Sequence, residues 1–237
     1  MLLLAIDTAN DAGSLAVLKD GRVSGEISTA SDEPYSSRLF RQLDLLLRES
    51  QLRTSDFDVF AVGSGPGSFT GLRVGLAAAK AWAEAFSKPI VAISGLEAVA
   101  VQLEKVAPES LIAPVLDARR GQIYVALYRV RDLRLVAEES EQVCTAEEFL
   151  QQVESRAGND QIRFISPCPA VIKPILDAWK PASSRISRTV EPATAALAPI
   201  IGRLAFERAR RGEFTDALHL DANYVRRSDA ELLWKAL

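Results

Sequence analysis

The sequence predicts an α/β protein built as two similar lobes, each a mixed sheet with flanking helices. Three observations carry that prediction: a strand meander that occurs twice, amphipathic helices alternating with short buried strands, and a glycine-rich stretch, GSGPGSFTGLRVG at 63–75, between an aliphatic run and an alanine-rich one. The 237 residues suffice for one large domain or two small lobes.

The first meander opens with LLLAIDT at 2–8, an apolar run ending in Asp7 and Thr8. SLAVLKDG follows and stops at Asp20-Gly21, a hairpin turn signal, before RVSGEIS. Three antiparallel strands are expected. Residues 35–50 then carry Leu39, Leu43, Leu46 and Leu47 at helical spacing, started by Glu33-Pro34. DVFAVGSG reads as a buried strand, and the glycine stretch joins it to a helix at 71–86 that Ser87-Lys88-Pro89 ends. IVAIS begins a further strand and helix.

From Leu111 the pattern recurs. LIAPVLDARRGQIYVALYRVRDLRLVAEES is again an apolar strand reaching Asp117, a turn, an alternating strand, a polar turn at Arg131-Asp132 and a third strand. Asp7 and Asp117 therefore hold corresponding places. A helix at 145–156, a strand at 163–166, a helix at 169–179 and a last long helix at 192–212 follow. We place the first lobe at 1–108, the second at 109–191, and a C-terminal helix and tail at 192–237 that pack on the lobes.

Composition removes several classes of function. The formal charge is −3 with mixed signs along the chain, so no basic face is announced that would hold nucleic acid unaided, and an RNA role requires a partner. Cys144 and Cys168 lie far apart without a C-x-x-C pair, and the chain opens on a strand-like run, which points to a reduced, cytoplasmic protein. Asp7, Lys80 and Glu84 interrupt the apolar stretches, so membrane attachment is not expected. With His219 as the single histidine, a metal site of two or three imidazoles cannot be assembled within one chain, and no Ser/His/Asp protease set stands at credible spacing.

The glycine stretch has two readings on its residues alone. Backbone N–H groups converging at a strand end, beside a helix N-terminus, favour an anion. However, a P-loop needs a lysine after its last glycine, whereas Gly71 is followed by Leu72-Arg73, and the spacing of Gly65, Gly67 and Gly71 misses the dinucleotide fingerprint. The other reading is a tight strand-to-helix turn in which Gly65 and Gly67 supply unusual backbone angles and Ser68 or Thr70 caps the helix. Asp7 and Asp117 divide in the same way, between gripping a ligand and strand-end turn chemistry, and the second is favoured for Asp117.

The whole string narrows this further. GPGSFTGLRVG, with LLAIDTA at the start, DARRGQIY at 117–124 and NYVRR near the end, resembles in order and spacing the TsaB family of bacterial proteins that help make threonylcarbamoyladenosine in transfer RNA. The resemblance spans nearly the whole chain. It implies the two-lobed fold of actin, Hsp70 and sugar kinases, which agrees with the internal repeat. It also implies kinship with TsaD, the catalytic subunit, whose metal-binding H-x-x-x-H would fall on SGLEAVAV, where Gly95 and Val99 stand instead. The glycine that usually follows the first Asp is missing from DTAND, and ISPCPAVIKP has prolines where a glycine pair would back the adenosine. No tightly bound cofactor and no metal are expected; weak nucleotide binding through a degenerate loop of Asp7, Thr8, Gly65, Gly67, Ser68, Thr70, Gly71, Arg73 and Asp117 stays open.

A chain without the chemistry implies a non-catalytic scaffold subunit that pairs with TsaD, works with an ATPase of the TsaE type, and homodimerises when alone. The resemblance carries the partner face to the first two helices: Leu39, Phe40, Leu43, Leu46 and Leu47 on one, with Leu72, Gly75, Leu76, Ala79 and Ala83 on the other, while Leu45 points the opposite way. The alternative is a small-molecule kinase binding ATP in its own cleft through Asp7, Thr8 and the loop. Tyr35 and Ala222 depart from the family's histidine and proline, and Arg73, Arg119 and Arg226 are each open to an anion, a partner or solvent, with at least one structural.

Overall fold

Both halves of the chain build the same five-stranded sheet. The computed structural model describes residues 1–31, 33–103, 110–131, 134–156, 161–179, 186–218 and 220–225. His219, Arg226, the rest of the tail and the boundary expected at 108/109 lie outside the described residues.

In the first half, β1 (Leu2–Asp7), β2 (Ser14–Lys19) and β3 (Arg22–Ser28) form the antiparallel meander, followed by α1 (Tyr35–Ser50), β4 (Val59–Gly63), α2 (Phe69–Phe86), β5 (Ile90–Ile93) and α3 (Gly95–Ala100). The sheet order is β3-β2-β1-β4-β5, with β4 and β5 parallel to β1. In the second half, β6 (Leu111–Arg119), β7 (Gln122–Arg131) and β8 (Arg134–Thr145) repeat the meander, followed by α4 (Ala146–Arg156), β9 (Ile162–Ser166), α5 (Lys173–Ala178), β10 (Ile186–Pro192) and α6 (Ala198–Arg210). That sheet runs β10-β9-β6-β7-β8. Read from its meander edge, each sheet therefore has the order third, second, first, fourth, fifth, and the duplication read from pattern is a duplication of topology.

The chain divides into two compact units, Met1–Ala98 with Ala195–Tyr224, and one centred on Val99–Thr194. In the first unit, Leu4, Ile6, Leu15 and Val17 face α1 and α2, joining Leu39, Leu43, Leu46, Leu72 and Leu76 in one core. The alternate side, including Leu18, lies under α6. Covering both faces explains why β1, β2 and β4 read as apolar runs and not as alternating strands. In the second unit, Leu111, Val115, Val125, Phe164 and Phe149 of α4 form the corresponding core with Leu176 of α5.

Two expectations need correction. Residues 186–192 form an edge strand, β10, parallel to β9, that the alternation of so short and polar a run did not reveal. The last helix starts at Ala198 and not at 192, because Pro199 has no N–H to donate and is tolerated only in the first helical turn.

Candidate functional site

The end of β1 and the start of α2 meet at the glycine stretch. Asp7 is 1% exposed and closes a local turn: Oδ1 accepts from the Ala9 N–H at 3.1 Å and Oδ2 from Asn10 Nδ2 at 3.1 Å. Burial pushes its carboxyl up to about 6, against the lowering effect of those two donors. Asn10 Nδ2 also reaches the Ala195 carbonyl at 3.3 Å, which ties the turn to the start of the α6 segment. Asn10 was not among the expected residues, although its place three after Asp7 is an available signal.

Thr8 Oγ1 donates to the Gly71 carbonyl at 2.7 Å, and the Ser68 N–H donates to the Ala9 carbonyl at 2.7 Å. These bonds draw the 8–13 loop onto the first turn of α2. The approach is so close that a Cβ at Gly67 or Gly71 would lie nearer than 3.0 Å to the Ala9 or Thr8 carbonyl oxygen, and one at Gly75 would strike Thr8 Oγ1. The glycines therefore serve contact between two parts of the same chain. Ser68 caps α2, its Oγ accepting from the Gly71 N–H at 3.3 Å, and Gly65 precedes a cis peptide bond to Pro66. Thr70 is exposed.

The other end of the 8–13 loop is held by Arg38, which is 2% exposed. Its Nη1 donates to the Thr29 carbonyl and hydroxyl at 2.9 and 2.8 Å, and its Nη2 to the Asp11 carbonyl at 3.1 Å. The guanidinium lies 3.9 Å from the centroid of the Tyr35 ring, so this buried tyrosine serves as its platform.

Arg73 is exposed at the start of α2, 4.0 Å over the Phe69 ring, with Nε donating to the Tyr224 hydroxyl at 3.1 Å. In the second unit, Asp117 Oδ1 accepts from the Arg119 N–H at 2.7 Å, and Arg119 Nη1 lies 3.6 Å from Asp117 Oδ2. Asp117 has the strand-end turn role favoured for it. Arg73 and Arg119 are both engaged within the chain.

The expected partner face is corrected. Leu39, Leu43, Leu46, Leu72, Leu76, Ala79 and Ala83 are buried within the first unit, as is Gly75, because the apolar arcs of α1 and α2 are what cover the sheet. Leu47 is half-buried. Phe40 alone of the expected set stands well out, at 60% exposure. It ends a file of rings that starts in the core, Phe57, Phe60, Trp82 and Phe40, with successive centroids 6.2, 5.8 and 6.4 Å apart. Trp82 was missed, since a lone tryptophan among alanines carries no periodic signal.

Fold and site together define a duplicated α/β protein of two five-stranded mixed sheets with flanking helices, its glycine turn packed against its own first strand loop. The family model described as "TsaD: tRNA N6-adenosine threonylcarbamoyltransferase" matches residues 26–178. Several relatives carry the name tRNA threonylcarbamoyladenosine biosynthesis protein TsaB. The Bacillus subtilis protein is 36% identical over 56% of this chain and 57% of its own length, less than two thirds of that relative. The Haemophilus influenzae protein is 31% identical over 65% of this chain and 69% of its own, and the Escherichia coli protein 31% over 67% and 68%. The chain belongs to the TsaB family. Two Pseudomonas aeruginosa structures, one of YeaZ and one of a protein with similarity to peptidase YeaZ, share the fold. Their TM-scores are 0.71 and 0.73 at 24% and 23% identity, covering 94% and 95% of this chain and 99% of each of theirs.

Proposed function

We propose that this chain acts in tRNA threonylcarbamoyladenosine biosynthesis as a non-catalytic subunit. It pairs with TsaD, works with an ATPase of the TsaE type, and supports transfer of threonylcarbamoyl to the adenosine next to the anticodon. It meets tRNA only through that assembly, acts in the cytoplasm, and forms a homodimer when TsaD is absent. Among the described residues no helix is long and apolar enough to cross a membrane, which is compatible with this reading. Family membership supports the pathway.

The observation that carries the non-catalytic part is the packing of the glycine turn. The space beside Gly67 and Gly71 is taken by the carbonyl oxygens of Ala9 and Thr8. An anion cradle would present N–H groups to an open concavity, whereas here the Ser68 N–H is spent on Ala9. The partner face on this reading is the α1–α2 surface around Phe40 and Trp82, an exposed ring on a rigid base of the kind that anchors interfaces.

Size-exclusion chromatography with light scattering, on this protein alone and mixed with TsaD from the same cell, tests the reading. A one-to-one complex is expected, and Phe40→Glu abolishes it while the chain stays folded, since Phe40 is on the surface. A folded protein that forms no complex removes the scaffold role. Titration calorimetry with ATP and magnesium covers the kinase alternative: tight binding by the isolated chain would favour it.

A further inference from the structure

Leu45 lies off the apolar arc of α1, and at 54% exposure it is one of the large apolar side chains the first unit leaves in solvent. It lines a groove of about 820 Å³ between the C-terminal half of α1 and the open edge of the first sheet. The volume is within the range of ligand-binding clefts. Leu2, Ile27, Leu45, Leu46 and Leu52 give the groove its apolar floor. Glu26, Glu49 and Asp58 line it as well, against one lysine, Lys19. The amino terminus, also at the groove, is neutralised by Asp20 at 2.7 Å. Asp58 accepts from the Leu2 N–H, while among the described residues Glu26 and Glu49 make no ion pair. The groove thus sets apolar surface beside unspent negative charge.

Its length and edge say what shape of ligand fits. Ser24 to Ile27 of β3 run along it, about 13 Å of extended chain, enough for several residues of a peptide. β3 is the edge of its sheet, but Ser24 is an extra residue between the pairs Val17–Gly25 and Leu18–Val23, and its Oγ donates back to the Val17 carbonyl at 3.2 Å. A bulge there interrupts the straight row of backbone groups that strand addition requires. Recognition must then come from side chains on both sides.

We propose that this groove docks a cationic, aliphatic segment of a partner protein, leucine-like side chains resting on Leu45, Ile27 and Leu52 and lysine or arginine groups meeting Glu26 and Glu49. The site is separate from the Phe40–Trp82 surface and does not depend on pairing with TsaD.

The test is fluorescence anisotropy of the full-length chain with a fluorescein-labelled peptide of leucine and lysine, and with its leucine–glutamate counterpart. Saturable binding of the lysine peptide alone is expected, weakening as salt is raised. Leu45→Ser and Glu49→Lys, both surface changes, each raise Kd about tenfold, and Phe40→Glu leaves it unchanged. Absence of saturable binding, wild-type affinity in either groove variant, or loss of binding in Phe40→Glu would each overturn the proposal.

Discussion

Asp7 and Asp117 each accept a hydrogen bond from the backbone two residues on, at 3.1 Å from Ala9 and 2.7 Å from Arg119. Their surroundings differ. After β1 the chain takes residues 8–13 to return, folds that loop against α2, and buries Asp7, Thr8 and Ala9. After β6 it returns through Arg119, Arg120 and Gly121, all with positive φ, and stays in solvent at its tip. One turn has become part of a core, while the other is only a connection. Duplicated sheets preserve the strand-end Asp, and the helix that follows β4 decides what is built upon it.

The largest effect that would expose this contrast is steric. Gly71→Ala drives a Cβ into the Thr8 carbonyl and is expected to cost about 3 kcal/mol or more, read as a fall in the urea midpoint. Gly121→Ala meets nothing within 4 Å and strains only a positive φ, so about 1 kcal/mol is expected. Similar losses at both sites would end the distinction between core turn and connection.

The pH dependence of the first turn comes next. Asp7 titrates near 6 when folded against 3.8 as its ordinary value, so the folded state holds the proton more tightly. Its contribution to stability rises as pH falls through 6 and is complete below 3.8, on the order of 3 kcal/mol. Other carboxylates act in the opposite sense on acidification, so the quantity to measure is wild-type stability minus that of Asp7→Asn. That difference should move in favour of the wild type from neutral pH to about pH 4; a flat difference would mean the Asp7 carboxylate is solvated.

Thr8→Val keeps the shape and removes the 2.7 Å bond to Gly71, costing about 1–2 kcal/mol, measurable by denaturation and by faster amide exchange at the start of α2. The smallest effect belongs to the second turn. Asp117→Ala loses a half-exposed Asx bond and should cost about 0.5–1 kcal/mol, with no change in the binding of any partner through the first unit.

Much of the fold was legible. Apolar runs ending at Asp7-Thr8 and Asp117, with turn signals at Asp20-Gly21 and Arg131-Asp132, located both meanders, and leucine spacing located α1, because strand and helix periods are written in local sequence. β10 was not legible, since an edge strand needs little apolar character of its own. At the site, Asp7, Thr8 and the glycines were legible as residues that mattered, and their role as mutual packing partners was not. Leu39 and Phe40 make the same point one residue apart: both are large and apolar on one helix, with 0% and 60% exposure, and periodicity alone did not separate core from surface on so wide an arc.

The sequence by itself determined the duplicated topology, the capped helix after the glycine turn and the family, because these rest on local periodicity, turn chemistry and a string of residues in order. Tertiary structure alone decided that Gly67 and Gly71 accommodate the chain's own carbonyl groups, that Arg38 locks the 8–13 loop, and that Leu45 lines a groove with Glu49. Each depends on residues far apart in the chain meeting at contact distance, as Thr8 and Gly71 do across 63 positions. No local pattern encodes such a meeting, because what fills the space beside a glycine or a leucine is set by how the elements pack.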